Sequence, residues 1–388
     1  MSISYWLDHS TNESEKNFDV VVVGGGIAGT SAAFWLKQED PDCKVAIIEK
    51  SEIAGGASGR NAGFVTCGSV EHFNRLVERW GEETAYAIWN FSEVNLELLK
   101  KHIIPGSNDL EFDDKGTFSL ASTDVEFHEL QETASLMEKR GINVEVVQGD
   151  QIRKRLGAEG FIGGIKYLSD ASVHPLRLTK RIAQLSGAQV FERTEAMRIE
   201  EGPDGTRSVL TNRGRFNASV VVLALNGYLP SLDPYFADKV FPTRGQILAT
   251  EPVERFMEGP CYAHFVLDYF RQLKDGRVLI GGFRQLEKET EVGYSDHTTD
   301  KIQVALGEFL EKHFPILKGK KITHRWAGVM GFSVDGQPFV GAKADDQQIF
   351  FLGGFTAHGL GLAFNTGKCL VDLMYDRSIP QFLSAKRF

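Results

Sequence analysis

Three glycine-rich stretches carry the residue types that hold a phosphate-bearing cofactor. The first, Gly24-Gly25-Gly26-Ile27-Ala28-Gly29, contains the spacing G-x-G-x-x-G. Gly24 permits a tight turn, Gly26 lets a pyrophosphate approach the backbone, and Gly29 lets a following helix pack on the preceding strand. Ile27 and Ala28 open that helix, so their N–H groups and its positive dipole end would face the phosphates. Glu49 follows at about the 20-residue distance where an acid accepts hydrogen bonds from a ribose. An acid there argues against NADP and leaves NAD and FAD open.

The second stretch runs from Gly55 to Gly63. It suits a loop lying along a long cofactor, with Ser58 or Arg60 placed to meet phosphate and Asn61, Ala62 and Gly63 beside them. The third, Gly353 to Gly361, precedes the last helix. A second helix N-terminus at Gly359, Leu360, Gly361 and Leu362 would then face the far end of the cofactor. For a flavin, such a dipole stabilises the negative charge of the reduced ring. His358 is expected to touch the flavin rather than to act as a base. Lys50, Glu195, Ala196, Asn226, Gly227 and Gly331 complete the expected cofactor contacts.

These residues must be carried by strand ends and helix starts. Phe18 to Val23 is a β-branched run that reads as a buried parallel strand. Ile27 to Lys37 reads as a helix and Lys44 to Ile48 as a second buried strand, which makes a βαβ unit. Glu71 to His102 and Val125 to Arg140 read as helices. Ser219 to Ala224 and Ile349 to Leu352 are further buried strands, and Gly361 to Met374 is a last helix. Gln246 to Thr250, Phe265 to Tyr269 and Arg277 to Gly281 read as strands of a second sheet. The fold class is therefore α/β with two domains. A Rossmann-like domain is assembled from 17–90, 170–238 and 322–388. An antiparallel-sheet substrate domain takes 91–169 and 239–321, and 1–16 form an N-terminal arm.

The 388 residues carry a net charge of −9 with both signs interleaved, which excludes a basic face for nucleic acid. No apolar run reaches the roughly 20 residues of a membrane span, and the N-terminus lacks a signal-peptide pattern. Cys43, Cys67, Cys261 and Cys369 form no C-x-x-C pair, so no metal site is expected and the chain reads as cytoplasmic.

With these motifs the chain resembles the D-amino-acid-oxidase, sarcosine-oxidase and glycine-oxidase superfamily of FAD enzymes over nearly its whole length. The gamma-glutamylputrescine-oxidase-like subgroup matches through Tyr5-Trp6-Leu7-Asp8, Gly59 to Phe64, Arg244-Gly245-Gln246, Asp268-Tyr269-Phe270-Arg271 and Leu279 to Gly282. The resemblance implies FAD, held non-covalently because Gly328 stands where sarcosine-oxidase-like chains carry the linking cysteine. It also implies hydride transfer from a carbon beside an amine nitrogen, with oxygen or another electron acceptor reoxidising the flavin.

Three departures bear on substrate. Met330 stands where glycine-oxidase-like chains place an arginine. Gly361 stands where sarcosine-oxidase-like chains carry a lysine, and Gly63 at an arginine of theirs. The fixed cations that would hold an α-carboxylate are therefore missing. The expected substrate is an amine without an α-carboxylate, in a pocket walled by Phe64, Tyr269 and Phe355, with Met330 and His358 as further candidate site residues. Arg271 or Arg284 is left to bind an acid further away, and Asp268 to bind a distal ammonium or to form a structural ion pair. The rival readings are a quinone-linked amino-acid dehydrogenase and a catalytically weak flavin-binding partner protein.

Overall fold

The computed structural model describes residues 15–68, 70–264 and 268–388, without the side chains of 70 and 71. The Tyr5–Asp8 motif, nearly all of the expected arm and the start of the expected strand at Phe265 lie outside the described residues.

Among the described residues the chain builds two eight-stranded sheets and a small two-stranded one. The first sheet runs in the order 339–343, 346–353, 214–223, 15–23, 45–48 and 189–191. Its last five members pair in parallel, with an antiparallel edge at Phe339–Lys343. The strands 207–211 and 196–201 fold back antiparallel beside it. Val20 to Val23 are buried on both faces, as a parallel strand under helices requires. On one face the helices Ile27–Glu39 and Gly359–Met374 pack together, and Trp35 Nε1 donates to Phe364 O at 2.8 Å.

The second sheet runs from 322–333 through 240–250, 278–281, 268–272, 261–263, 117–121 and 163–167 to 144–148. All its neighbours are antiparallel except Cys261–Ala263 against Thr117–Ala121. Its core gathers Phe118, Phe270, Leu306 and Phe314 beneath the helix Asp300–His313.

Three features differ from the sequence reading. Glu71 to His102 is two helices, Val70–Trp80 and Glu82–His102, because Gly81 takes φ +78° and ψ 164° and breaks the ladder. The second of these belongs with the first sheet: Asn95 donates to Leu360 O at 3.1 Å and Ser92 to Gly361 O at 2.9 Å. The strand Ile322–Ser333, placed by sequence with the nucleotide-binding segments, pairs with Val240–Thr250 in the second sheet. Chain order puts it beside the last βα unit, but its alternating inward residues Ala327, Val329, Gly331 and Ser333 match an antiparallel ladder.

A buried ion pair ties the segment after that sheet's third strand to the sheet itself. Arg244 Nε and Nη2 donate to Glu291 Oε2 and Oε1 at 3.0 and 2.8 Å, and Gln246 Nε2 donates to Oε1 at 2.9 Å. Arg244 and Glu291 are 3% and 1% exposed. Glu291→Ala strands a buried guanidinium, so the urea midpoint should fall by an amount worth about 3 kcal/mol or more. A change under about 1 kcal/mol would show that the pair holds nothing together.

Candidate active site

The register of the parallel sheet sets three chain reversals side by side. Val23 lies opposite Leu223 on one side and Ile48 on the other. Gly24 N donates to Ile48 O and Ala224 N to Val23 O, both at 2.9 Å. Gly24 turns at φ +114°, where a Cβ would lie 2.6 Å from Ala224 O. A Cβ on Gly29 would lie 1.9 Å from Gly24 O, so Gly29 serves the helix–strand contact. Gly25 N–H donates to Glu49 Oε2 at 2.8 Å, and Ser51 N–H to Oε1 at 2.9 Å. These bonds aim the Glu49 carboxylate along the turn.

A cavity of about 730 Å³ opens at these carboxyl ends and extends to the second sheet. It is lined by Gly24, Gly26, Ile27, Ala28, Glu49, Lys50, Ser58, Arg60, Asn61, Ala62, Glu195, Ala196, Asn226 and Gly227. His358, Gly359 and Leu360 line its far part, and Phe64, Tyr269, Met330 and Phe355 its wall. Six sequence-predicted residues stand behind it. Gly29 packs the helix. Gly63, at φ +82°, turns beside Val173 O. Gly331 meets Asn226 and Gly227, whose Oδ1 and N would each lie 2.5 Å from a Cβ there. Gly361 backs onto Thr66 O, 1.9 Å from where its Cβ would be, and Leu362 is buried after it. Arg271 is buried and donates to Gly63 O and Val173 O at 3.0 and 3.2 Å, so it clamps the Gly63 turn. Burial pulls its guanidinium down to about 10.

Two expected polar contacts have other partners. Ser58 Oγ accepts from Ile27 N–H at 2.8 Å, so it caps the helix. Arg60 donates to Gly55 O at 3.0 Å, and to Ala327 O and Asp296 Oδ2 at 2.9 Å. It thereby bolts the glycine loop to the second sheet, and Trp326 Nε1 returns a bond to Arg60 O at 2.8 Å. Asp268 is 0% exposed, with Oδ2 on His264 Nδ1 at 2.8 Å and Oδ1 on Phe283 N–H at 2.7 Å. It is a structural carboxylate, and the distal-ammonium reading falls.

The aromatic wall includes Tyr262, which no sequence signal marked. Phe64 meets Tyr262 and Tyr269 edge-on at 5.1 and 6.0 Å between centroids. Burial holds both phenols above their ordinary range, so they remain neutral O–H groups. His358 follows Thr356 and Ala357, both at positive φ, and stands at the N-terminus of the last helix. Its ring stacks on His72, also missed by sequence, at 4.4 Å. Burial lowers His358 to about 4 and takes His72 well below the ordinary value.

This arrangement fits FAD. One helix N-terminus and the Glu49 carboxylate meet phosphate and ribose chemistry, and glycines leave the backbone open at Gly24 and Gly26. The second helix N-terminus, at Gly359, faces the same cavity from its far part. All four cysteines are buried, and none lines the cavity.

The chain belongs to the FAD-dependent oxidoreductase family (DAO), whose pattern matches residues 19–373. It is 27% identical to gamma-glutamylputrescine oxidoreductase of Escherichia coli over 92% of this chain and 83% of that protein. It is 22% identical to glycine oxidase of Bacillus subtilis over 95% of both chains. The crystal structure of glycine oxidase from Geobacillus kaustophilus superposes with TM-score 0.80 at 21% identity, covering 94% of this chain and 96% of that one. The protein is an FAD-dependent oxidoreductase with the fold of that structure.

We propose Glu49 as the ribose acceptor, and Glu49→Ala removes its carboxylate. FAD affinity, measured by flavin fluorescence on titrating apoprotein, should drop about tenfold or more; unchanged affinity would remove Glu49 from the cofactor site. His358 predicts an acid effect. Its folded value lies at about 4, below the ordinary 6.5. The unfolded chain takes up this proton as pH falls through 6.5, and the folded chain only near 4. The stability it contributes is therefore full above pH 6.5 and is lost as pH falls toward 4. His358→Asn should reduce the fall in urea midpoint between pH 7 and 4.5 by at most about 3 kcal/mol, because one side of the ring faces the cavity. An identical pH profile in the variant would contradict this.

Proposed function

We propose that this enzyme oxidises the C–N bond of an amine whose reacting carbon bears no carboxylate. The observation that carries this reading is Met330 on the cavity wall, at the position where an amino-acid-oxidising relative is expected to place arginine. At the other two expected clamp positions, Gly361 and Gly63, a Cβ would run into Thr66 O and Val173 O. The relationship to gamma-glutamylputrescine oxidoreductase supports an amine, and that to glycine oxidases supplies the rival substrate class.

The residues of the chain then have defined tasks. Phe64, Tyr262, Tyr269, Met330 and Phe355 line the cavity with apolar and aromatic surface. Such a surface disfavours an ammonium, lowers the amine pKa and leaves the nitrogen lone pair free to assist hydride departure. The neutral Tyr262 and Tyr269 hydroxyls orient the amine, and the wall excludes water from it. The N-terminus of the Gly359–Met374 helix favours negative charge beside it. FAD, when bound between these elements, supplies the hydride acceptor. The product imine hydrolyses to an aldehyde and ammonia or an amine. We assign oxygen as the electron acceptor, so peroxide should accompany turnover. Four buried cysteines without a disulfide support a cytoplasmic location. Among the described residues no helix is long and apolar enough to cross a membrane.

The test is a substitution that restores the clamp. Met330→Arg should lower kcat/KM for simple primary amines and raise it for glycine or sarcosine by about tenfold or more, as a charge-assisted bond to carboxylate allows. A wild-type enzyme that already prefers glycine or sarcosine would overturn the proposal.

A further inference from the structure

We infer that Arg284 is a specificity-determining residue that binds a carboxylate at the distal end of the amine substrate. This rests on the amine reading above and narrows it to amines that carry a remote acid.

Lysine and arginine side chains line the cavity at several points. Lys50, Arg75 and Arg79 are exposed, and Lys50 lies over the Tyr228 ring at 4.0 Å. Arg60 is spent on Asp296 and two carbonyls. Arg284 differs. It is half-buried in the cavity wall, and its guanidinium lies over the Phe332 ring at 4.9 Å. Among the described residues none accepts a hydrogen bond from it. Burial lowers its pKa and the nearby Glu291 carboxylate raises it; a guanidinium keeps its charge in proteins. A partly desolvated guanidinium with an aromatic ring beneath it and its donors unpaired has a site for an anion.

The position of the site follows from strand geometry. Phe332 and Met330 are two residues apart on one strand, and both line the cavity. Their spacing is roughly 7 Å. A carboxylate on Arg284 and a carbon held against Met330 would therefore sit at separate points of the cavity wall. A separation of that order is longer than an α-carboxylate reaches and suits an amine with an acid at its far end.

The arginine is also deliberately presented. Phe283 sits in the left-handed region at φ +56°, and its N–H is held by the buried Asp268 at 2.7 Å. The short helix Arg284–Glu287 that follows is pinned by Lys301, which donates to Leu286 O at 3.1 Å and pairs with Glu287 at 2.6 Å. Asp268 thus acts as a positioning residue for Arg284.

The experiment compares 6-aminohexanoate with hexylamine as substrates of the FAD-loaded enzyme, and follows hexanoate binding by calorimetry. In the wild type, kcat/KM for the amino acid should exceed that for the plain amine by about tenfold or more. Arg284→Met should erase this difference through the KM for the amino acid and abolish hexanoate binding, and Arg284→Lys should restore part of each. Equal losses on both substrates, no wild-type preference for the acid, or hexanoate binding equal in wild type and variant would each overturn the inference. Hexanoate binding that depends on Arg284, with neither amine oxidised, would sink the amine reading and leave the carboxylate site standing.

Discussion

The structure depends on the close pairing of its first strand with two parallel neighbours. Val23 is flanked by Leu223 and Ile48 at the same level, so the chain must reverse at three adjacent points. Gly24, Ala224 and Glu49 leave the sheet together. There is no room for a side chain at Gly24 or Gly29, because backbone carbonyls occupy that space. The crevice outside the carboxyl ends of a parallel sheet is where such folds bind ligands. Here it becomes a cavity because the second sheet closes its other side.

That closure is made by a few polar fastenings. Arg60 reaches Ala327 O from the glycine loop, and Trp326 reaches back to Arg60 O. Arg271 holds the Gly63 turn from the second sheet. Asn226 Oδ1 accepts from Gly354 N–H at 3.0 Å and so couples the middle reversal to the last one. These groups use charge and hydrogen bonds to fix the frame, while Phe64, Tyr262, Tyr269, Met330 and Phe355 line part of the cavity with neutral aromatic and thioether side chains. A site built this way places its substrate more by shape and exclusion of water than by titrating groups.

Much of this was legible in the sequence. The Gly24–Gly29 spacing, the acid at Glu49 and the β-branched run before them point to a nucleotide-binding βαβ unit, because each residue type answers a local steric or dipolar demand. What was not legible depends on distant segments. Arg60 and Ser58 have phosphate-binding chemistry, yet their partners Ala327 and Ile27 lie in other elements. His72 and Tyr262 sit in an ordinary amphipathic helix and a three-residue strand, with no motif around them. Gly361 stands in a convincing helix-start loop, but the helix turns this face toward Thr66. The strand Ile322–Ser333 could not be assigned to its sheet by chain order, since its partner is Val240–Thr250.

We propose that the cavity takes an amine and has no clamp for an α-carboxylate. The most direct measurement is anaerobic bleaching of the bound flavin, in single-turnover mixing, by propylamine or putrescine against glycine, sarcosine and D-alanine. Amines should reduce the flavin rapidly, and the α-amino acids slowly or not at all. Rapid reduction by glycine, sarcosine or D-alanine with no reaction of the amines would contradict this and require another cation beside Met330.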